Sequence, residues 1–196
     1  MRQTSINRKD SVVISSIGII SELGMQGLTS KEISKREKIS EGTLFSHFKN
    51  MDEIVLYVLK YHSELDTSII ETVELKKLSP LEAIRLFASI YAENYENYPE
   101  STCLINISEM LLQHGKVATE AEEIMDMRIA YLKSLIEKAQ ISENLNPEID
   151  SQILTDMLIG SFLAIVHRWR KSKYTFKFKE QVLMTFETFL NAFSRH

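Results

Sequence analysis

The residues best suited to chemistry in this chain form one run, Ser40-Glu41-Gly42-Thr43-Leu44-Phe45-Ser46-His47. Its side chains are mostly small or hydroxylated. On the exposed face of a helix they permit close approach to the floor of a DNA major groove, where Ser and Thr hydroxyls can meet base edges or phosphates. Lys31, Lys49 and the Arg8–Lys9 pair are suited to flanking phosphates, which set orientation without reading sequence. Catalysis has no comparable constellation. His47, His62, His114, His167 and His196 are scattered without metal-ligand spacing, and there is no Gly-rich phosphate loop or nucleophile elbow. The single cysteine, Cys103, rules out an intramolecular disulfide and an all-cysteine metal site. No metal, no cofactor and no enzymatic activity are expected.

A second set of residues suits an adaptable apolar cavity. Phe87, Tyr91, Tyr95, Met110, Met125, Tyr131, Phe162, His167 and Trp169 combine aromatic rings and methionines with a few polar tips. Between Pro147 and Lys173, Ile153, Met157 and Ala164 share one helical face, and Leu154, Leu158, Phe162 and Ile165 the adjacent one. An apolar arc that wide requires packing partners on two sides. Val182, Phe186, Phe189, Leu190 and Phe193 repeat the signal. The basic-aromatic run His167–Lys171 ends the first of these helices, where cations favour the helix dipole.

These residues must be held by helices. Of 196 residues, 44% are hydrophobic and 26% charged, with only 3 prolines and 6 glycines. That composition fits a packed all-α protein and argues against disorder. Helical periodicity predicts a first helix over residues 8–23, with Val13, Ile17 and Ile20 on one face, ended by Gly24 and Gly27. Thr29 or Ser30 caps a short second helix, and Ser40 opens a third that runs to about His47. Asp52 and Glu53 mark the start of a long fourth helix reaching about Val73. Further helices are expected over 80–97, 102–114, 117–140, 147–173 and 177–193, about nine in all.

Charge is distributed unevenly. Residues 1–51 carry eight Lys/Arg against five acids, while the remainder carries fifteen against twenty-two within a net charge of −4. A mildly basic head on an acidic body is expected where one end meets phosphate. Nothing near Met1 reads as a signal peptide, and the most apolar window, residues 153–166, is shorter than the about 20 residues a membrane span needs. A cytoplasmic location is expected.

The stretch Thr29–Phe48, TSKEISKREKISEGTLFSHF, followed by KNMDEIV, resembles the DNA-binding signature of the TetR family of repressors. The preceding VVISSIGIISELGMQGLTSKEIS is similar to that family's first helix, glycine-containing turn and second-helix entry. The resemblance is detailed over residues 8–60, and downstream it rests on helix number and length. It implies Gly42 and Thr43 near base edges, Ser30 and Lys31 near the backbone, and His47 beside a phosphate. Leu44 and Phe48 would pack the recognition helix onto the first helix. The implied DNA-binding set is Ser30, Lys31, Ser40, Gly42, Thr43, Leu44, Phe45, Ser46, His47 and Lys49. Phe45 stands where the family often has tyrosine, Met51 where it often has lysine, and Glu37 and Lys38 where it has a small residue and glycine.

The resemblance further implies a helix-turn-helix domain at residues 1–50 and a helical ligand-binding and dimerisation domain at 51–196. Ile153, Met157, Ala164, Phe186, Phe189, Leu190 and Phe193 would form a two-fold interface. The implied partners are a palindromic double-stranded operator, a second copy of the chain and a small-molecule effector that releases the DNA. Glu37, Lys38, Phe45 and Met51 leave a second reading open, a helical adaptor whose head no longer binds DNA.

Overall fold

A computed structural model describes residues 8–107, 111, 115–142 and 144–195. Among the described residues the helices with defined bounds are α1 (Arg8–Leu23), α2 (Ser30–Glu37), α3 (Glu41–His47), α4 (Met51–Lys76), α5 (Pro80–Asn97), α6 (Lys116–Ile141), α7 (Ser151–Lys171) and α8 (Phe178–Ala192). Short 3-10 segments lie at Met25–Gly27 and Pro99–Asn106. Among the described residues the only β-type pairing is the isolated bridge between Leu145 and Ser194. The protein is all-α, as its periodicity and composition require.

The chain forms two compact units, one from Met1–Glu64 with Glu100–Met125 and one from Leu65–Pro99 with Asp126–His196. In the first, α1 contributes Val12, Val13, Ile19 and Ile20 to a core that also takes Ile33, Leu44, Phe48, Ile54, Val58 and Leu59. Cys103, Leu104, Ile107, Leu111, Val117 and Ala121 complete it from the later segment. Each fully buried aliphatic side chain contributes about 1.5–3 kcal/mol, so these three short helices are stable through packing, not propensity. In the second unit, α5 buries Ala83, Ile84, Phe87, Ala88, Tyr91, Ala92 and Tyr95. The α5 helix packs against α8, which buries Phe178, Val182, Phe186 and Leu190, and α8 packs in turn against α7, which buries Leu154, Leu158, Ile165 and Val166.

Local chemistry sets the helix ends. Gly24 takes φ 71°, a left-handed conformation that terminates α1, and a Cβ on Gly27 would lie 2.3 Å from Leu23 Cβ. Thr29 and Ser40 accept the N–H groups of Glu32 and Thr43, which fixes the starts of α2 and α3. Ser79 and Glu82 form a reciprocal capping box with Pro80 in the first turn of α5. Two starts differ most from the sequence expectation. The helix expected from Pro147 begins at Ser151, because the Asp150 carboxylate caps the N–H groups of Gln152 and Ile153. Of the helix expected over 102–114, residues 102–106 belong to a 3-10 segment from Pro99 to Asn106, Ile107 and Leu111 are helical, and the rest lies outside the described residues.

Candidate nucleic-acid interface and sensor cluster

The α3 helix buries one side chain and presents the rest. Leu44 is fully buried, whereas Glu41, Gly42, Thr43, Phe45, Ser46 and His47 are exposed. Leu44 is therefore a packing residue and does not belong to the exposed reading surface. Ser40 Oγ accepts the Thr43 N–H at 3.0 Å and lies 2.9 Å from Thr43 Oγ1, so the cap also orients the threonine hydroxyl. Ser46 Oγ donates to the Thr43 carbonyl at 2.7 Å. Gly42 is informative because the fold does not demand it. A Cβ there would meet nothing nearer than Ser40 Oγ at 3.7 Å, an ordinary contact. The absent side chain lowers the outer surface of the helix, where a partner must approach closely. Lys31, Lys49 and Ser40 are exposed, and Ser30 is half-buried.

Glu41, part of the run read from the sequence but not of the implied DNA-binding set, occupies the first turn of α3. Ser30 Oγ donates to its Oε2 at 2.5 Å, joining the starts of α2 and α3. A carboxylate at this position can accept from a cytosine amino group in the major groove. Lys9 belongs less to the outer surface than its charge suggests. Its Nζ lies 3.8 Å from Glu53 Oε1 and 4.9 Å and 5.2 Å from the ring centres of Phe48 and Tyr57.

The unusual residues of the bend are accommodated. Lys38 adopts φ 55°, ψ 42°, a left-handed conformation that costs a side-chain-bearing residue about 1–2 kcal/mol. The Ile39 N–H meanwhile reaches the Ser34 carbonyl at 3.0 Å. Glu37 accepts hydrogen bonds from Ser11 Oγ at 2.7 Å and from Ser15 Oγ, both one turn apart on α1. Arg36 adds a bidentate pair to Glu22, with Nη1–Oε1 3.1 Å and Nη2–Oε2 2.5 Å. The hydrogen bond from Arg36 holds the Glu22 carboxyl below its usual range. Met51, in place of a lysine, packs half-buried on the head core.

In the second unit Phe87, Tyr91, Tyr95, Phe162 and Trp169 do come together. Phe87 stacks on Tyr91 at 4.8 Å, and Phe162 lies 6.5 Å from Tyr91 and 6.0 Å from Tyr95. Phe178 and Phe186, unassigned to a cavity by sequence, join at 5.9 and 6.3 Å from Phe162. Trp169 stacks on Phe178 at 4.6 Å, and its indole N–H donates to the Phe176 carbonyl at 2.9 Å. Tyr131 is half-buried on α6, and desolvation raises its phenol pKa. His167 is exposed on α7 and does not line the cluster, because it falls on the helix face opposite Val166 and Trp169. Met125 falls in the first unit, and Met110 lies outside the described residues.

The expected interface residues divide in the same way. Ile153, Met157 and Ala164 are exposed, whereas Phe186, Phe189 and Leu190 are buried within the chain and Phe193 is half-buried. The stripe of Ile153, Met157, Gly160 and Ala164 follows an i, i+4, i+7, i+11 pattern along α7. A Cβ on Gly160 would meet no atom within 4 Å.

Residues 17–58, the segment holding this reading helix, match the family described as bacterial regulatory proteins, tetR family. A curated relative, the uncharacterized HTH-type transcriptional regulator YvkB of Bacillus subtilis (strain 168), is 26% identical over 151 residues, covering 74% of this chain and 75% of its own. The head segment is thus similar to the tetR family of bacterial regulatory proteins, and the curated relative is an HTH-type transcriptional regulator. The likeness of fold to solved transcriptional regulators extends over nearly the whole chain. The ketosteroid transcriptional regulator KstR2 of Mycobacterium tuberculosis superposes with a TM-score of 0.82 at 14% identity, covering 98% of both chains. AibR, solved with isovaleryl coenzyme A and operator DNA, superposes with a TM-score of 0.77 at 14% identity, covering 93% of this chain and 97% of its own. At those identities the likeness is one of fold. No helix among the described residues is long and apolar enough to cross a membrane.

Proposed function

We propose that this protein is a TetR-family regulator, a cytoplasmic, dimeric repressor that binds a palindromic operator and is released from it by a small molecule. The reading head is residues 1–50, and sensing and dimerisation belong to residues 51–196. The observation that carries the DNA half is the outer face of α3. Ser40, Thr43 and Ser46 present hydroxyls around a glycine that the chain's own packing does not require. Ser30, Lys31, His47 and Lys49 flank that face as backbone contacts, and Phe45 lies beside it. The accommodation of Glu37 and Lys38 within the head weakens the grounds for a degenerate adaptor.

For assembly, the α7 stripe supports a two-fold helix contact, with Ile153 54% and Met157 45% exposed. A glycine in mid-stripe with open space above it lets a second helix approach closely. Met184, 61% exposed on α8, extends the apolar face, and Phe186, Phe189, Leu190 and Phe193 support it from within. For sensing, the aromatic cluster supports an apolar effector, and AibR in its complex with isovaleryl coenzyme A is a precedent within this fold. The effector must bind the DNA-competent and released states with different affinity, since equal affinity shifts nothing.

Footprinting of the purified protein on its own upstream region tests the reading, with salt-sensitive protection centred on an inverted repeat as the expected result. Random protection, or none, overturns it. In the same assay Thr43→Ala weakens specific binding more than nonspecific binding, because phosphate contacts survive and a base-edge contact does not.

A further inference from the structure

In the second unit an ion pair lies against the aromatic cluster. Arg128 of α6 grips Asp66 of α4, with Nε 3.0 Å from Oδ1 and 3.1 Å from Oδ2, and Nη2 2.7 Å from Oδ2. Tyr91 of α5 donates its hydroxyl to the same carboxylate at 2.6 Å, and its ring lies 5.0 Å beneath the guanidinium. Burial pushes the Tyr91 phenol far above its ordinary value, so it remains a donor. Burial also opposes charge on Arg128, but the hydrogen bond to Asp66 and the surrounding charges together offset it and the guanidinium stays cationic. The result is a complete carboxylate receptor, a planar fork and a hydroxyl from two helices converging on a carboxylate from a third.

Stability alone does not account for this arrangement. Taking an ion pair out of water cancels much of its attraction, and apolar side chains of similar size commonly hold a core as well. The surroundings are nevertheless strongly apolar, with Phe87 stacked on Tyr91, and Tyr95 and Phe162 in the same cluster. The receptor is also not sealed. The Arg128 and Asp66 side chains remain 12% and 14% exposed, and Phe162 is only half-buried despite four aromatic neighbours.

We infer that Arg128 and Tyr91 form the headgroup site for an amphipathic carboxylic acid, with Asp66 holding the place of the ligand's carboxylate until it is displaced. The incoming carboxylate takes the guanidinium fork and the Tyr91 hydroxyl, Asp66 turns to water, and the ligand's apolar body lies against Phe87, Tyr95 and Phe162. The inference rests on the small-molecule-responsive reading above and names the class of effector. Arg128 has the geometry for it, since its fork already binds a carboxylate through two nitrogens.

Octanoate and its uncharged counterpart 1-octanol, titrated calorimetrically into the full-length protein, test the site. Trp169, the single tryptophan, provides a fluorescence readout through its stacking on Phe178. Wild type is expected to bind octanoate saturably and octanol weakly. Asp66→Asn, which removes the internal competitor's charge, raises octanoate affinity about tenfold, and Arg128→Met lowers it by about tenfold or more, the scale of one charge-assisted contact. Should Arg128→Met unfold, the charge-free pair Asp66→Leu/Arg128→Met keeps the core apolar and must lose the preference for octanoate over octanol. Octanoate binding that is indifferent to both variants overturns the site, as does a failure of Asp66→Asn to bind octanoate at all. Octanoate bound through Arg128 without any change in operator affinity would leave the site standing and sink the effector reading. Operator release by octanol alone would do the reverse.

Discussion

Single residues divide into those demanded by the fold and those it merely tolerates. Gly42 is tolerated, and this makes a sharp prediction. Gly42→Ala raises helix stability by up to about 1 kcal/mol, because alanine loses less backbone entropy and its Cβ meets only Ser40 Oγ at 3.7 Å. The same substitution weakens operator binding, so the urea midpoint and the binding isotherm should move in opposite senses. Glu37 is the contrasting case. Read in sequence it breaks a bend that usually holds a small residue, but its partners Ser11 and Ser15 are 26 and 22 positions away. No local rule reveals that pairing, which is why the serines interrupting the apolar face of α1 look like blemishes until the fold is known. Glu37→Ala should cost about 1–3 kcal/mol, the range for charge-assisted hydrogen bonds. In a double-mutant cycle with Ser11→Ala and Ser15→Ala the losses should be clearly non-additive, and additive losses would show the contacts to be idle.

Helices as elements were legible where their caps were unambiguous. Thr29, Ser40 and Ser79 fix the starts of α2, α3 and α5 within a residue of where periodicity puts them. The start of α7 was misplaced because Pro147 resembles a first-turn proline. The deciding group is the Asp150 carboxylate three residues later, which accepts from Gln152 N–H at 2.8 Å and Ile153 N–H at 3.2 Å. Asp150→Ala should therefore destabilise the second unit by about 1 kcal/mol, while Pro147→Ala leaves the start of α7 unchanged. Amide exchange across residues 151–155 distinguishes the two. The aromatic cluster was half legible. Residue type identified Phe87, Tyr91, Tyr95, Phe162 and Trp169, but Phe186 was assigned to a two-fold interface. A fully apolar helix does not say which of its faces turns inward.

At the scale of the molecule, the second unit is tied by Arg85 of α5 and Glu187 of α8, with Nε–Oε1 2.6 Å and Nη2–Oε2 3.0 Å. The hydrogen bond from Arg85 lowers the Glu187 pKa from its ordinary 4.5. A carboxylate with a lowered folded value contributes stability that is complete above 4.5 and is lost as pH falls below it, through the folded value. The pair is partly solvated, with side chains 39% and 45% exposed, so the effect is modest. Thermal midpoints followed from about pH 6 down to about pH 2 should fall less steeply for Arg85→Met than for wild type. Parallel curves would remove Glu187 from the acid response. Neither this pair nor Asp66–Arg128 was visible in the sequence. Their members lie 102 and 62 positions apart, and an isolated charge on a helix face reads as solvated.

The core of the first unit, finally, does not come from one stretch of chain. Cys103, Leu104, Ile107, Leu111, Val117 and Ala121 close what α1 to α4 leave open. Cutting after residue 50, as one would for a portable DNA-binding cassette, exposes Val12, Val13, Ile33 and Leu44 on the inner side. Such a fragment would be an aggregation-prone partial fold, and a graft onto a foreign sensor would have to bring Glu100–Met125 with it. Recombination in this lineage is thus constrained. A new operator specificity is reached more readily by point changes on α3 than by exchanging heads.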